Sequence, residues 1–390
     1  MRVILDSTIS IGIAAIDSGH VSEGVFALER VLFVEPHNNA ARLELARGYF
    51  LLQEDKRAKD EFMWVLRNQP PQIVHTNVQR YLDAIQQRAG KYETTVVGYV
   101  EFGFGYDTNA NSAPEDGSFD SPLFGTGQLS DENLEQSDSL YQVSAGGSVN
   151  HPIAPGLSLY GGFDGYLKGH SALDDYDSMV ATLKGGLKHQ KGDNTHRVGI
   201  VGQRFALGGE LYRRMMGATA DWTHDLSKQT QLTLSASLIE MAYPDQPIRD
   251  SQQMTLGGGM THRMAVKYSP TLFASAFRGQ EMADTSSNEA KAVAERVFYG
   301  TRFGGQIGVR SNVSLDASWL IQRSEYEGIN FMFLTNREEI RHQLEGGFTW
   351  LPSKHWKVRG KTGYTRSNSN IPLYEHERFL TQLSLRYDFY

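Results

Sequence analysis

The sequence predicts a chain of two parts: an all-α array of tetratricopeptide-type helices over residues 1–92, then an all-β transmembrane barrel of about fourteen antiparallel strands over 93–390. Three observations carry this reading. From Thr94 onward the chain divides into strand-length segments that alternate apolar and polar residues. No run of 18 or more apolar residues occurs, which excludes ordinary transmembrane helices. The chain then closes on the aromatic residues Phe389 and Tyr390.

The alternation has a physical cause. Every backbone N–H and C=O in a bilayer needs a partner within the protein, so only helices and closed barrels can span it. A barrel wall shows lipid at every second residue and its lumen at the others. In the segment from Val313, residues Val313, Leu315, Ala317, Trp319 and Ile321 share one face, and Ser314, Asp316, Ser318 and Gln322 the other. Leu157, Leu159, Phe163 and Leu167 oppose Ser158, Asp164 and Lys168, while Trp356, Val358 and Tyr364 oppose Lys357, Arg359 and Lys361. The last segment sets Leu383, Leu385, Tyr387 and Phe389 against Gln382, Ser384, Arg386 and Asp388.

Residues 1 to about 92 read as helices. Pro36 and Pro70 are 34 positions apart, the period of a tetratricopeptide repeat. The small and large packing positions of that unit fall on Leu45, Ala46, Tyr49, Ala58, Phe62 and Val65. A weaker preceding unit places Ile11, Gly12, Ala15, Leu28 and Val31 at equivalent offsets, and Pro71 to Arg88 supplies one further helix or a cap. The groove side of the better repeat would present Leu43, Arg47 and Phe50 to a cargo peptide or helix. The alternative is that Phe50 packs on the neighbouring repeat and Arg47 is solvated.

The strands are expected at 94–107, 138–150, 156–169, 176–189, 195–207, 211–225, 230–243, 250–264, 270–282, 295–310, 313–325, 337–351, 355–367 and 377–390. Short turns, such as 151–155 and 352–354, alternate with connections that include long ones at 108–137, 283–294 and 326–336. Bacterial barrels keep their short turns in the periplasm. That alternation places the helical array and the C-terminus there, in a Gram-negative outer membrane. No charged region followed by an apolar run opens the chain, so an export signal is expected to have been removed or to lie upstream.

Composition removes several function classes. There are no cysteines, so disulfides, thiol catalysis and thiolate metal sites are absent. A formal charge of −7 offers no field for nucleic acid. The twelve histidines show no His-Glu-x-x-His or other tight ligand spacing. Gly360, Lys361 and Thr362 mimic the end of a phosphate-binding loop, but His355 stands where that motif needs glycine. No enzyme, cofactor or metal is therefore expected. Gly208 and Gly209 mark a tight outside turn, with Arg213 and Arg214 at a charged rim. The lumen is expected to be mixed in charge, with Arg204, Arg278, Arg302, Lys357, Arg359 and Arg386 among Asp164, Asp221, Asp316, Glu345 and Asp388.

The first strand ends in Gly105, Tyr106, Asp107, Thr108, Asn109, Ala110, Asn111, Ser112, Ala113, Pro114. By side-chain chemistry alone, Tyr106, Asp107, Asn109 and Asn111 form a solvated turn or lumen wall, or else take part in gating the lumen. The Gly, Ser, Asp and Pro content of the loop from Asn111 to Ser137 fits external disorder or a constriction folded inward.

A short helical repeat region, a strand ending in this Tyr-Asp-x-Asn-x-Asn-x-Ala-Pro run and a fourteen-strand barrel resemble the surface lipoprotein assembly modifier (Slam) family of the type XI secretion system. The resemblance implies a translocon that delivers lipoproteins or secreted partner proteins to the cell surface, working with outer-membrane lipid, the barrel assembly machinery and periplasmic chaperones. Family members often carry a longer helical array. The assembly signal expected at Tyr387, Phe389 and Tyr390 has its apolar register on the penultimate residue, whereas such signals commonly end on the outward aromatic itself. The alternative functions are a repeat-linked exopolysaccharide exporter, usually with a longer array and sixteen strands, and a passive porin.

Overall fold

The computed structural model describes residues 2–68, 70–89, 93–266 and 268–389. They form two compact units, residues 1–94 and 95–390.

Among the described residues the first unit contains five helices: α1 (Arg2–Asp17), α2 (Val21–Val34), α3 (Asn39–Leu51), α4 (Asp55–Arg67) and α5 (Gln72–Ala89). The Asn38 side chain caps α3 by accepting a hydrogen bond from Ala41 N–H at 3.0 Å. Leu45, Ala46, Tyr49, Ala58, Phe62 and Val65 are all buried, at 3% exposure or less. Their spacing therefore marks the contact faces of α3 and α4. In the preceding pair Gly12, Leu28 and Val31 are buried, but Ile11 is 63% exposed and Ile16 fills the core in its place. At Gly24 a Cβ would stand 2.6 Å from the Gly12 carbonyl oxygen, so α1 and α2 touch through glycine.

The second unit is a closed barrel. Its first strand is β1 (Thr95–Asp107), followed by a small hairpin, β2 (Ser118–Ser121) and β3 (Gly125–Gln128). The wall continues through β4 (Asp138–Ala154), β5 (Leu157–His170), β6 (Ser178–Lys191), β7 (Asn194–Leu207), β8 (Glu210–Asp225), β9 (Thr230–Ala242) and β10 (Ser251–Arg263). It is completed by β11 (Thr271–Ala283), β12 (Arg296–Arg310), β13 (Val313–Asn330), β14 (Thr335–Trp350), β15 (Trp356–Ser369) and β16 (His376–Phe389). A short helix, α6 (Asn288–Val293), lies between β11 and β12. Each wall strand pairs antiparallel with its neighbours in sequence, and β1 closes on β16 from Gly98 opposite Phe389 to Asp107 opposite Leu380.

The wall thus has the fourteen strands expected from the alternation. Phe102, Phe104, Leu183, Ile200, Met216, Leu238 and Leu383 project outward and are exposed, as a lipid-facing band requires. Trp222, Trp350, Trp356 and Tyr387 cluster at the short-turn ends of their strands, where an interfacial aromatic girdle belongs. Glycines in the wall are covered by aromatic rings: a Cβ at Gly98 would lie 2.3 Å from the Phe389 ring, and one at Gly360 would lie 2.2 Å from that of Phe348.

Two connections differ from expectation. The turn expected at 151–155 is strand as far as Ala154, with the ladder shifting register between Pro152 and Ala154. A bulge accommodates the proline that a regular ladder would reject. The long connection expected at 326–336 is only the stretch 331–334, because β13 and β14 run on past a register shift between Glu325 and Ile329. Beyond the hydrocarbon layer no lipid imposes alternation, so this extension left no periodic signal.

Candidate functional site

The run after β1 fastens the barrel where it closes. Asp107 has no exposed surface, and Arg378 of β16 grips its carboxylate with two nitrogens, Nε donating to Oδ1 at 2.9 Å and Nη2 to Oδ2. The Asn109 N–H also donates to Asp107 Oδ1, at 3.2 Å. Asn109 is equally inaccessible, and its Nδ2 donates to the carbonyls of Ala113 and Glu377, each at 2.8 Å. Asn111 reaches the far end of the same loop: Nδ2 donates to Leu134 O at 2.6 Å and Oδ1 accepts from Gln136 N–H at 3.0 Å. Tyr106 points outward, and its hydroxyl donates to Ser137 Oγ at 2.9 Å.

These four residues therefore tie together the start of the loop, its end and the last strand. A short side chain bearing a carboxylate or carboxamide can satisfy main-chain groups at such a junction, whereas an apolar one would leave them unpaired. Arg378 and Glu377 complete the junction and were missed in the sequence. The usable signal is closure itself, since any closed barrel brings the top of its first strand beside the start of its last.

The loop beyond is folded. Phe119 and Phe124 meet Phe333 and Phe331 edge to face at 6.1 and 5.9 Å, and Ser121 Oγ donates to Met332 O at 2.5 Å. The β2–β3 hairpin is thereby held on the tip of the β13–β14 hairpin, two strands beyond β16 in the wall. A second connection folds back similarly. Asn288 of α6 exchanges two hydrogen bonds with the Ile329 main chain, at 2.9 and 3.0 Å, and α6 lies so close that a Cβ at Gly328 would stand 2.2 Å from Ala292 N.

Below the junction the lumen wall carries paired charges. Glu101 of β1 accepts from Arg359 at 2.8 Å and from Ser384 Oγ at 2.5 Å, while Asp388 binds Arg386 at 2.7 Å and Lys357 at 3.0 Å. The Arg386 guanidinium lies 3.8 Å from the centre of the Tyr99 ring. Further along the same stretch of wall, Arg302 of β12 meets Glu345 of β14 at 2.7 Å. A recess of about 460 Å³ opens between Tyr99, Glu101, Asp164, Arg359 and Arg386. Arg204 and Arg278 do not join this wall: they pair with Ala181 and Leu256 on the outward face. A charge near a strand end can face the headgroup layer, so charge alone does not assign a residue to the lumen.

In the helical unit Leu43 and Phe50 pack against the buried cluster. Phe50 meets Tyr81 edge to face at 4.9 Å, and the Arg88 guanidinium lies 3.9 Å from its ring centre. Arg47 is ion-paired with Asp17 at 2.8 Å and Glu44 at 2.7 Å. Nearby, burial and a hydrogen bond to Glu29 raise the Tyr49 hydroxyl above its ordinary pKa. In the last strand Tyr387 and Phe389 face outward, whereas Tyr390 lies outside the described residues. Among the described residues no group of three or more His, Asp or Glu side chains could hold a metal ion.

A closed wall with an apolar outside and an ion-paired inside is an outer-membrane β-barrel. A family model described as "Surface lipoprotein assembly modifier" matches residues 97–389, nearly the whole barrel. The chain belongs to that family. A curated protein of the same description from Moraxella catarrhalis is 21% identical over 385 residues, covering 95% of this chain and 71% of the relative. Among solved structures, the outer membrane channel DcaP of Acinetobacter baumannii aligns with a TM-score of 0.43 at 10% identity, over 76% of this chain and 97% of DcaP. OmpT of Vibrio cholerae aligns with a TM-score of 0.44 at 7% identity, over 76% of this chain and 98% of OmpT.

Proposed function

We propose that this protein is an outer-membrane translocon that delivers lipoproteins or secreted partner proteins to the cell surface. The observation that carries the reading is the family match along the barrel, in a wall whose closure is built from the Asp107, Asn109 and Asn111 run. In this reading the short-turn end is periplasmic and the long-loop end faces the exterior, as barrel topology generally has it. Residues 1–92 then form a periplasmic repeat-type domain and 93–390 the barrel. Leu43, Arg47 and Phe50 form the cargo-receiving face, and Tyr106, Asp107, Asn109 and Asn111 set the state of the first loop. Tyr387, Phe389 and Tyr390 serve as the assembly signal read by the barrel assembly machinery, with periplasmic chaperones guarding the unfolded chain.

The test is surface display of a candidate lipoprotein in a host lacking relatives, read by protease shaving of intact cells with and without this chain. Display that depends on the chain supports the reading. No display beside a folded barrel overturns it. Deleting residues 1–90 is expected to leave a heat-modifiable barrel and abolish display, and unchanged display would remove the receiving role from the helices.

A further inference from the structure

At the long-loop ends of the strands, several outward-facing charges neutralise one another. Arg323 binds Glu325 at 2.7 Å and Glu338 at 2.9 Å, and Arg366 binds Glu377 at 3.2 Å. Arg204 and Arg214 behave differently. They stand directly opposite each other in the β7–β8 ladder, on the outward face shared with Val198, Ile200 and Met216. Both are exposed, and neither makes an ion pair or hydrogen bond among the described residues. Like charges placed directly opposite in a ladder destabilise it. The next outward positions across the wall are Ala181 beside Arg204 and Ala242 beside Arg214. Glu240, opposite Met216, is the acidic residue diagonal to Arg214, and it forms no ion pair with either arginine.

Two arginines stand opposite each other on a lipid-facing wall, flanked by alanines at the neighbouring outward positions. Arginine forks match phosphate oxygens, and such charge-assisted bonds strengthen where water is sparse. A phosphate monoester carries close to two negative charges at neutral pH, enough to balance both arginines. We propose that Arg204 and Arg214 together bind a phosphate monoester of lipid A, the acylated diglucosamine of the outer leaflet. This assignment rests on the proposed orientation, which puts the long-loop end in that leaflet.

The experiment uses the full chain, folded in zwitterionic micelles and checked for heat-modifiable migration. It is titrated with bisphosphoryl lipid A, monophosphoryl lipid A and phosphatidylglycerol, with binding read by native mass spectrometry. The double variant R204Q/R214Q is expected to bind bisphosphoryl lipid A roughly tenfold more weakly than the parent, while R323Q, which disrupts an already neutralised group, binds like the parent. Unaltered binding by the double variant, an equal loss in R323Q, or parent binding to phosphatidylglycerol as tight as to lipid A would each overturn the site. The micelle assay does not depend on which way the barrel sits. An epitope tag at Asp116 that stays hidden on intact cells would instead overturn the orientation, and the lipid A assignment with it.

Discussion

Replacing Arg378 with methionine removes the cation from a carboxylate that has no exposed surface. Breaking a buried pair at one partner costs about 3–5 kcal/mol, because the remaining charge keeps its desolvation penalty. The Arg378 side chain is 26% exposed, so water softens the pair and the loss belongs near the lower end, about 3 kcal/mol. Asp107→Asn preserves shape and a polar contact while leaving the more exposed partner unpaired, so about 1–2 kcal/mol is expected. In the double variant no buried charge is stranded, and its loss should fall short of the sum of the two by about 2 kcal/mol. Urea titration of the full chain in vesicles, followed by the fluorescence of its five tryptophans, measures all four corners of the cycle. Chymotrypsin cleavage within residues 108–137 should accelerate in Arg378→Met and partly recover in the double variant. Single losses that add to within about 0.5 kcal/mol would refute the claim that these two side chains lock the closure.

Phe62→Ala empties a fully buried site in the helical unit and is expected to cost about 3–5 kcal/mol, read as earlier loss of helical circular dichroism while the barrel persists. Gly328→Ala drives a Cβ into the α6 main chain, so amide exchange over residues 288–293 should rise sharply while exchange in the β13 ladder below Glu325 stays slow. Because the folded pKa of Tyr49 is raised, its stabilising contribution is intact below the ordinary tyrosine value and declines as pH climbs above about 10. Tyr49→Phe should therefore flatten the alkaline limb of the helical unit's stability curve, and an unaltered limb would remove Tyr49 as its source.

The barrel was legible because lipid and lumen enforce a period of two: the faces assigned around Val313, Leu157, Trp356 and Leu383 all match the observed register. The helix contacts at Leu45 to Val65 were legible for a similar reason, since side chains of fixed spacing must meet across two neighbouring helices. Arg204 and Arg278 went to the wrong face because charge was weighed above register: Arg204 shares parity with Val198 and Ile200, which a strict count along the strand would have shown. The Asp107 run could be recognised as polar punctuation, but its partner Arg378 is 271 residues away. Only the closure of the wall brings them together. The docking of Phe119 and Phe124 on the β13–β14 tip left no pattern, because tertiary contacts between two loops obey no local period.

That docking changes what it would take to part the first strand from the last. Among the described residues the ladder between them holds ten residue pairs, against thirteen on the other side of β1. The loop leaving β1 passes over this line and is anchored beyond it, so the join is laced from above. Any sideways breathing of the wall there must first unlace Phe119, Ser121 and Phe124 from a neighbouring hairpin. The tension on the join is thus set by a remote loop tip, which a single contact at that tip could loosen or tighten.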